Sequence, residues 1–268
     1  EAVTCIYDSA SKDAAKFVDM VIPMFLRGIE TFNDKNRDTL FQSLEVITRE
    51  CLSESTQFLP ELTQLQLKYL NSCYSIKLAA SLSFHLLSGY ISYASVLFLP
   101  ATRMITNRNR NYFKYLMKFL SFSIMFQDQP FEPFISAVED RIRMSSIPLN
   151  QMFMKILSKT FNVLIQSKDL SMFQSRISLL VRMMIQKDQT GSNAIPLLIS
   201  LCNNQNLPVS LAEHWSSLFN LQLHSLTANN NNTDNSIIKK MKLIYLMLIR
   251  IQIVLYAHQY HVTVIRMH

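Results

Sequence analysis

The sequence predicts an all-α protein, and three observations carry that expectation. Only three glycines, Gly28, Gly89 and Gly191, occur in 268 residues, against an average usage of about 7%. Their scarcity removes most of the φ > 0 positions that hairpins, bulges and phosphate-cradling loops need. Hydrophobic residues make up 49% of the chain, and they recur at spacings of three and four, the period of a helix with one buried face.

About eleven helices follow from that spacing, with breaks at Pro, Asn and Ser/Asp positions suited to helix starts. The first covers residues 10–28 and contains Pro23, which should kink or reset it. In the second, 36–53, Leu40, Phe41, Leu44, Ile47, Cys51 and Leu52 share one face, and Asp38, Gln42, Glu45, Arg49 and Glu50 share the other. Pro60 opens the third, 60–77, where a missing N–H costs nothing. The fourth, 80–99, lies in a stretch, Leu78 to Thr102, whose only potentially charged side chain is His85. That stretch is long enough for a bilayer of ~30 Å. It is nevertheless laced with Ser81, Ser83, Ser88, Ser92 and Ser95 and ends at Pro100, which fits a buried helix and not a membrane span.

Helices at 109–126, 131–144, 148–166 and 169–187 come next, Pro130 and Pro148 standing at the starts of two of them. The helix 193–204 holds Pro196, a further kink site, and 209–227 follows Pro208. Asn229 to Asn232, with Thr233, Asp234 and Asn235, make residues 228–235 an exposed Asn-rich loop. Asp234 or Asn235 then caps the last helix, 235–260, whose apolar face includes Ile237, Ile238, Met241, Ile244, Tyr245, Leu248, Ile251, Val254 and Leu255. Its run from Leu243 to Ala257 is interrupted by Arg250 and Gln252 and is too short to span. Both long apolar runs read as central helices covered by neighbours on several sides.

Helices of this length on short links pack as antiparallel neighbours, and consecutive pairs recur at roughly 40 to 47 residues, the interval of HEAT and armadillo repeats. The arrangement therefore resembles a HEAT/armadillo-like α-solenoid of antiparallel helices, with a compact helical bundle as the alternative. No repeat motif is legible in the letters, so the likeness is to an architecture and to no single family. Residues 1–268 are expected to form a single helical-repeat domain. Starting at Glu1 with neither initiator Met nor leader, the chain reads as a fragment of a longer one.

The formal net charge is +7, unevenly placed. Residues 1–61 hold eleven acids and six bases; residues 62–127 hold seven bases and no Asp or Glu. Residues 128–234 balance, and 235–268 have five bases and no acid. In stacked repeats, charge polarised along the chain becomes polarised in space. The sharpest local feature is Arg103, Arg108, Arg110, Lys114 and Lys118, interleaved with Asn107, Asn109, Asn111, Tyr112, Phe113 and Tyr115. In one reading it is an anion-facing patch for acidic protein or nucleic acid, its aromatics stacking on bases in the second case. In the other it is a solvated inter-repeat loop, with Phe113, Leu116, Met117 and Leu120 forming the core face of the following helix. A secondary basic patch, Lys239, Lys240 and Lys242, reads first as the wet side of a helix.

Catalytic signatures are missing. The sequence has no G-x-x-x-x-G-K-[ST], G-x-G-x-x-G, G-x-S-x-G or H-E-x-x-H. His258 and His261 share helical spacing, but no carboxylate follows Asp234, and His214 beside Glu213 and Trp215 reads as a helix-surface cluster. Cys5, Cys51, Cys73 and Cys202 are far apart and read as reduced, buried thiols of an intracellular protein. Asn231 heads an isolated Asn-x-Thr acceptor without a leader to support it.

These features predict a non-enzymatic helical-repeat scaffold that binds an acidic or amphipathic segment of a partner protein within a larger eukaryotic intracellular complex, the nucleus being preferred to the cytoplasm. The alternative is a nucleic-acid-binding helical module using the basic, acid-free segment 62–127. No cofactor, metal, membrane span or small-molecule substrate is expected.

Overall fold

The computed structural model describes residues 15–107, 109–144 and 151–187. Every regular element among them is helical. Nine helices of ten or more residues are α1 (Val18–Thr31), α2 (Asp34–Glu50), α3 (Leu59–Lys68), α4 (Cys73–His85), α5 (Ile91–Arg103), α6 (Arg110–Phe126), α7 (Phe131–Met144), α8 (Gln151–Ser167) and α9 (Gln174–Lys187). A one-turn helix, Leu52–Ser55, and short 3₁₀ turns fill most of the links. The chain divides into two compact units, Glu1–Val138 and Glu139–His268, the division falling inside α7.

In the first unit α1 runs through Pro23 and past Gly28, the expected stop, burying Val18, Ile22, Leu26 and Ile29 along one face. Gly28 is a packing residue: a Cβ there would stand 2.8 Å from Leu40 Cδ1 of α2. Arg37 closes the end of α1 from α2, donating to the carbonyls of Ile29 at 2.9 Å and Phe32 at 2.8 Å while its guanidinium lies 4.1 Å from the Tyr69 ring centroid. A cation is favoured there because the last carbonyls of a helix carry its negative end.

The expected α2 is present, capped by Asn33, whose side chain accepts from the Asn36 N–H at 3.1 Å. Phe41, Leu44, Ile47 and Cys51 are buried as its spacing requires. Its polar face is not wholly a solvent face. Asp38 accepts from the Ser72 hydroxyl at 2.6 Å, and Glu45 from Lys77 Nζ at 2.9 Å, so two carboxylates join α2 to α4 and its cap.

Two expected helices, 60–77 and 80–99, are corrected to three, so the eight helices expected between residues 10 and 187 become nine. The chain stops at Lys68, turns through residues 69–72 and restarts at Cys73 because Ser72 caps α4, accepting from the N–H groups of Tyr74 and Ser75 at 3.3 and 3.4 Å. A second break falls at residues 86–90, where Leu87 adopts φ 42° and a 3₁₀ turn, Leu87–Tyr90, leads into α5. Among the described residues the left-handed positions belong to Leu87 and Asp128, not to glycine. The long apolar stretch is thus two helices, and no helix among the described residues is long and apolar enough to cross a membrane. The helices expected at 193–204, 209–227 and 235–260, and the loop 228–235, lie outside the described residues.

Helix packing in this unit follows a regular rule. Beside the sequential pairs, closest for α1 with α2 and α5 with α6 and slighter for α3 with α4 and α4 with α5, helices α1 to α4 each meet the one two positions on: α1 packs on α3, α3 on α5, α2 on α4 and α4 on α6. Odd and even helices therefore form two rows. Helix α4, between α2 and α6, buries seven of its thirteen residues and so carries apolar side chains most of the way round.

Two buried side chains are tied to backbone between the rows, and a third to another side chain. Gln127 Nε2 donates to the carbonyls of Ser83 at 2.6 Å and Leu87 at 3.1 Å, holding the end of α4 to the end of α6. Tyr112 donates to the Leu70 carbonyl at 2.7 Å, and the wholly buried Tyr90 donates to Gln66 Oε1 at 3.1 Å. Burial pushes both phenols well above their ordinary value, and it raises the Cys51 and Cys73 thiols as well.

Alkaline sensitivity follows. A group whose pKa is raised on folding contributes stability that is complete below its unfolded value and lost as pH rises through the folded one. With unfolded values of about 8.5 for Cys and about 10 for Tyr, the urea midpoint should hold to about pH 8 and fall progressively through pH 9 to 11. Tyr90→Phe should flatten the upper part of that fall; an unchanged slope would contradict the assignment.

The second unit carries the end of α7, with α8 and α9. Met154, Leu157, Phe161 and Leu164 of α8, and Ile177, Leu180, Val181 and Met184 of α9, are buried. Glu139 of α7, 6% exposed, is gripped by Arg176 of α9 through Nε at 3.1 Å and a terminal nitrogen at 3.0 Å.

Candidate functional site

The basic stretch forms a surface from the turn before α6 onward. Asn107 Oδ1 accepts from the Asn109 N–H at 2.8 Å, and Asn109 in turn caps α6, accepting from Asn111 and Tyr112 N–H groups at 3.0 and 3.2 Å. This pair of local turns sets where the helix begins. Spacing of four then places Arg110, Lys114 and Lys118 along one exposed line, one per turn. Arg103, also exposed, ends α5, the helix packed beside α6. Arg108 lies outside the described residues, as do Lys239, Lys240 and Lys242.

None of Arg103, Arg110, Lys114 and Lys118 has a carboxylate partner among the described residues. The first turn of α6 holds no acid. Arg110 instead puts positive charge at the positive end of the helix, a placement unfavourable by about 0.3–1 kcal/mol. An external anion at this end relieves that repulsion.

Two of the aromatics between these cations belong to the core. Tyr112 and Phe113 are 1% and 3% exposed, their side chains in the core with Leu116, Met117 and Leu120. They therefore offer no base-stacking platform beside the cations. Tyr115 is half-buried, its ring flanked by Lys114 at 5.8 Å and Lys77 at 6.0 Å, and Lys77 is itself paired with Glu45.

Sequence reading missed the other half of this face. About two and three turns beyond Lys114, the ridge passes Phe122 and Phe126, which meet Phe84 of α4 with centroids at 5.2 and 6.2 Å and each other at 5.9 Å. Phe84 is 48% exposed and Phe122 and Phe126 are half-buried, so the three rings make an aromatic surface open to solvent. The signal was the continued spacing of four from Lys118 to Phe122 to Phe126; Phe84, 38 residues before Phe122, is supplied by packing alone.

Among the described residues no three His, Cys, Asp or Glu side chains converge in a way that could hold a metal ion. Cys51 is buried and Cys73 half-buried, both free thiols. His214, His258 and His261 lie outside the described residues, as do Cys5 and Cys202. No protein-family profile matches the chain, and no curated protein matches it.

Proposed function

We propose that this chain is a non-enzymatic α-solenoid scaffold of the HEAT/armadillo type, which holds a segment of a partner protein inside a larger intracellular complex, the nucleus being the preferred compartment. The observation that carries the reading is the line Arg110, Lys114 and Lys118, exposed and without a carboxylate partner among the described residues. The two-row packing, each helix against the second one along, is the contact pattern of stacked helical repeats. A surface of exposed charge without carboxylate partners among the described residues suits recognition of an oppositely charged partner, for which electrostatic complementarity sets specificity and encounter rate.

The test compares the wild-type chain with a variant carrying Arg103→Glu, Arg110→Glu, Lys114→Glu and Lys118→Glu, as bait for proteins that co-purify, with each capture repeated using the purified partner. These side chains are exposed, so thermal melting of the variant should match the wild type within a few degrees. At least one partner should bind about tenfold or more weakly to the variant. Partners retained in full by a folded variant would refute the reading.

The nucleic-acid reading draws on the same cations and on the absence of acids in 62–127. It predicts that log affinity for a labelled oligonucleotide falls against log salt with a slope of about −3 to −4 for four phosphate contacts. The buried Tyr112 and Phe113 weigh against it, because single-strand binding without stacking partners forgoes about 1–3 kcal/mol per base.

A further inference from the structure

We infer that the segment bound along α6 is an amphipathic helix with carboxylates at one end and a large apolar anchor at the other, the carboxylates lying over Arg110, Lys114 and Lys118 and the anchor over Phe84, Phe122 and Phe126. The inference rests on the scaffold reading above and adds the chemistry of its partner.

Three observations combine. The cations stand one per turn along an i, i+4 ridge of α6, and a ligand helix with acids at intervals of four presents a matching ridge when it crosses α6 at about 50°. The same line changes character after Lys118, where the unpaired charges give way to Phe122, Phe126 and the protruding Phe84. From residue 110 to 126 the helix rises about 24 Å while each step of four advances about 40° around it, so this ridge runs obliquely across the exposed face of α6, and a helix of about sixteen residues follows it by crossing α6 at an angle. A purely acidic ligand leaves the rings in water, and a purely apolar one leaves three cations unpaired.

A peptide satisfies this surface better than nucleic acid or a lipid bilayer. The rings are packed edge against face or tilted on one another, with interplanar angles of 40°, 70° and 38°, so they present a knobbed apolar surface and no parallel slot for a base. The cations form a single line rather than the broad field that a charged bilayer favours.

The probes are two labelled synthetic helices of about eighteen residues. One has Glu at three positions spaced by four, followed by Leu and Phe at the next two such positions; the other has the reverse order. Companion peptides keep only the acids or only the apolar pair. Fluorescence anisotropy against the full chain should give binding by at least one complete peptide, about tenfold or more tighter than by either half. Lys114→Glu with Lys118→Glu should weaken it about tenfold or more, and Phe84→Ser, at an exposed site that keeps the fold, about fivefold. Met20→Ser, on the exposed face of α1, should leave it unchanged.

Failure of both complete peptides overturns the inference. So does binding that ignores Phe84→Ser, or tighter binding of a 25-nucleotide single strand or of phosphatidylserine vesicles. If partners are released by the four-site reversal while neither peptide binds, this inference alone falls. If no partner responds to the reversal, the scaffold reading falls with it.

Discussion

Phe119→Ala should lower unfolding free energy by about 3–5 kcal/mol, the range for removing a large aromatic side chain from a closed core. Phe119 is wholly buried on α6, the helix that packs on both α4 and α5 and buries nine of its seventeen residues. Neighbours held on two sides are poorly placed to collapse into the space. The contrast is Phe122→Ala three residues on, at a half-buried ring, which should cost about 1 kcal/mol or less and serves as the control. Urea titration of both variants decides the matter; equal losses would mean that α6 does not sit in the core as described.

Arg176→Ala is the second large effect, at about 3 kcal/mol in the second unit. It strands the Glu139 carboxylate, whose side chain is 8% exposed; the other ion-pair contact among the described residues, Arg143 at 3.9 Å, is long and largely in water. Breaking a buried pair from one side costs about 3–5 kcal/mol; the low end applies because Arg176 is 27% exposed. Arg176→Lys should recover only part, since an ammonium cannot match both carboxylate oxygens as a guanidinium does. Replacing both partners with leucine should restore most of the loss, because the desolvated charge is then gone from the folded state. A double-mutant cycle with a coupling below about 0.5 kcal/mol would refute this account.

The helix ends show where local signals sufficed. Pro130 before Phe131, and Asn109 before Arg110, gave α7 and α6 their starts directly, because a missing N–H and a side-chain acceptor act within one turn. Asn71-Ser72 is an equally local cap signal, masked by apolar spacing that continues on both sides of it. The break near Leu87 had only Ser88-Gly89 beside it, and the strained residue was not the glycine. What holds the chain there is Gln127, forty residues away, donating to the Leu87 carbonyl.

The candidate surface divides in the same way. Spacing of four put Arg110, Lys114 and Lys118 on one line, while the fate of Tyr112 and Phe113 hung on which side of α6 the rest of the molecule occupied. The sequence alone thus determined the helical class of the described residues and the charged line on α6, because periodicity and capping act over three or four residues and need no partner. The tertiary structure decided which aromatics are core, that Phe84 joins Phe122 and Phe126, and that Asp38 and Glu45 face α4 and its cap rather than water. Those outcomes come from contacts between residues more than thirty apart, and helical spacing carries no information about which neighbour will cover a face.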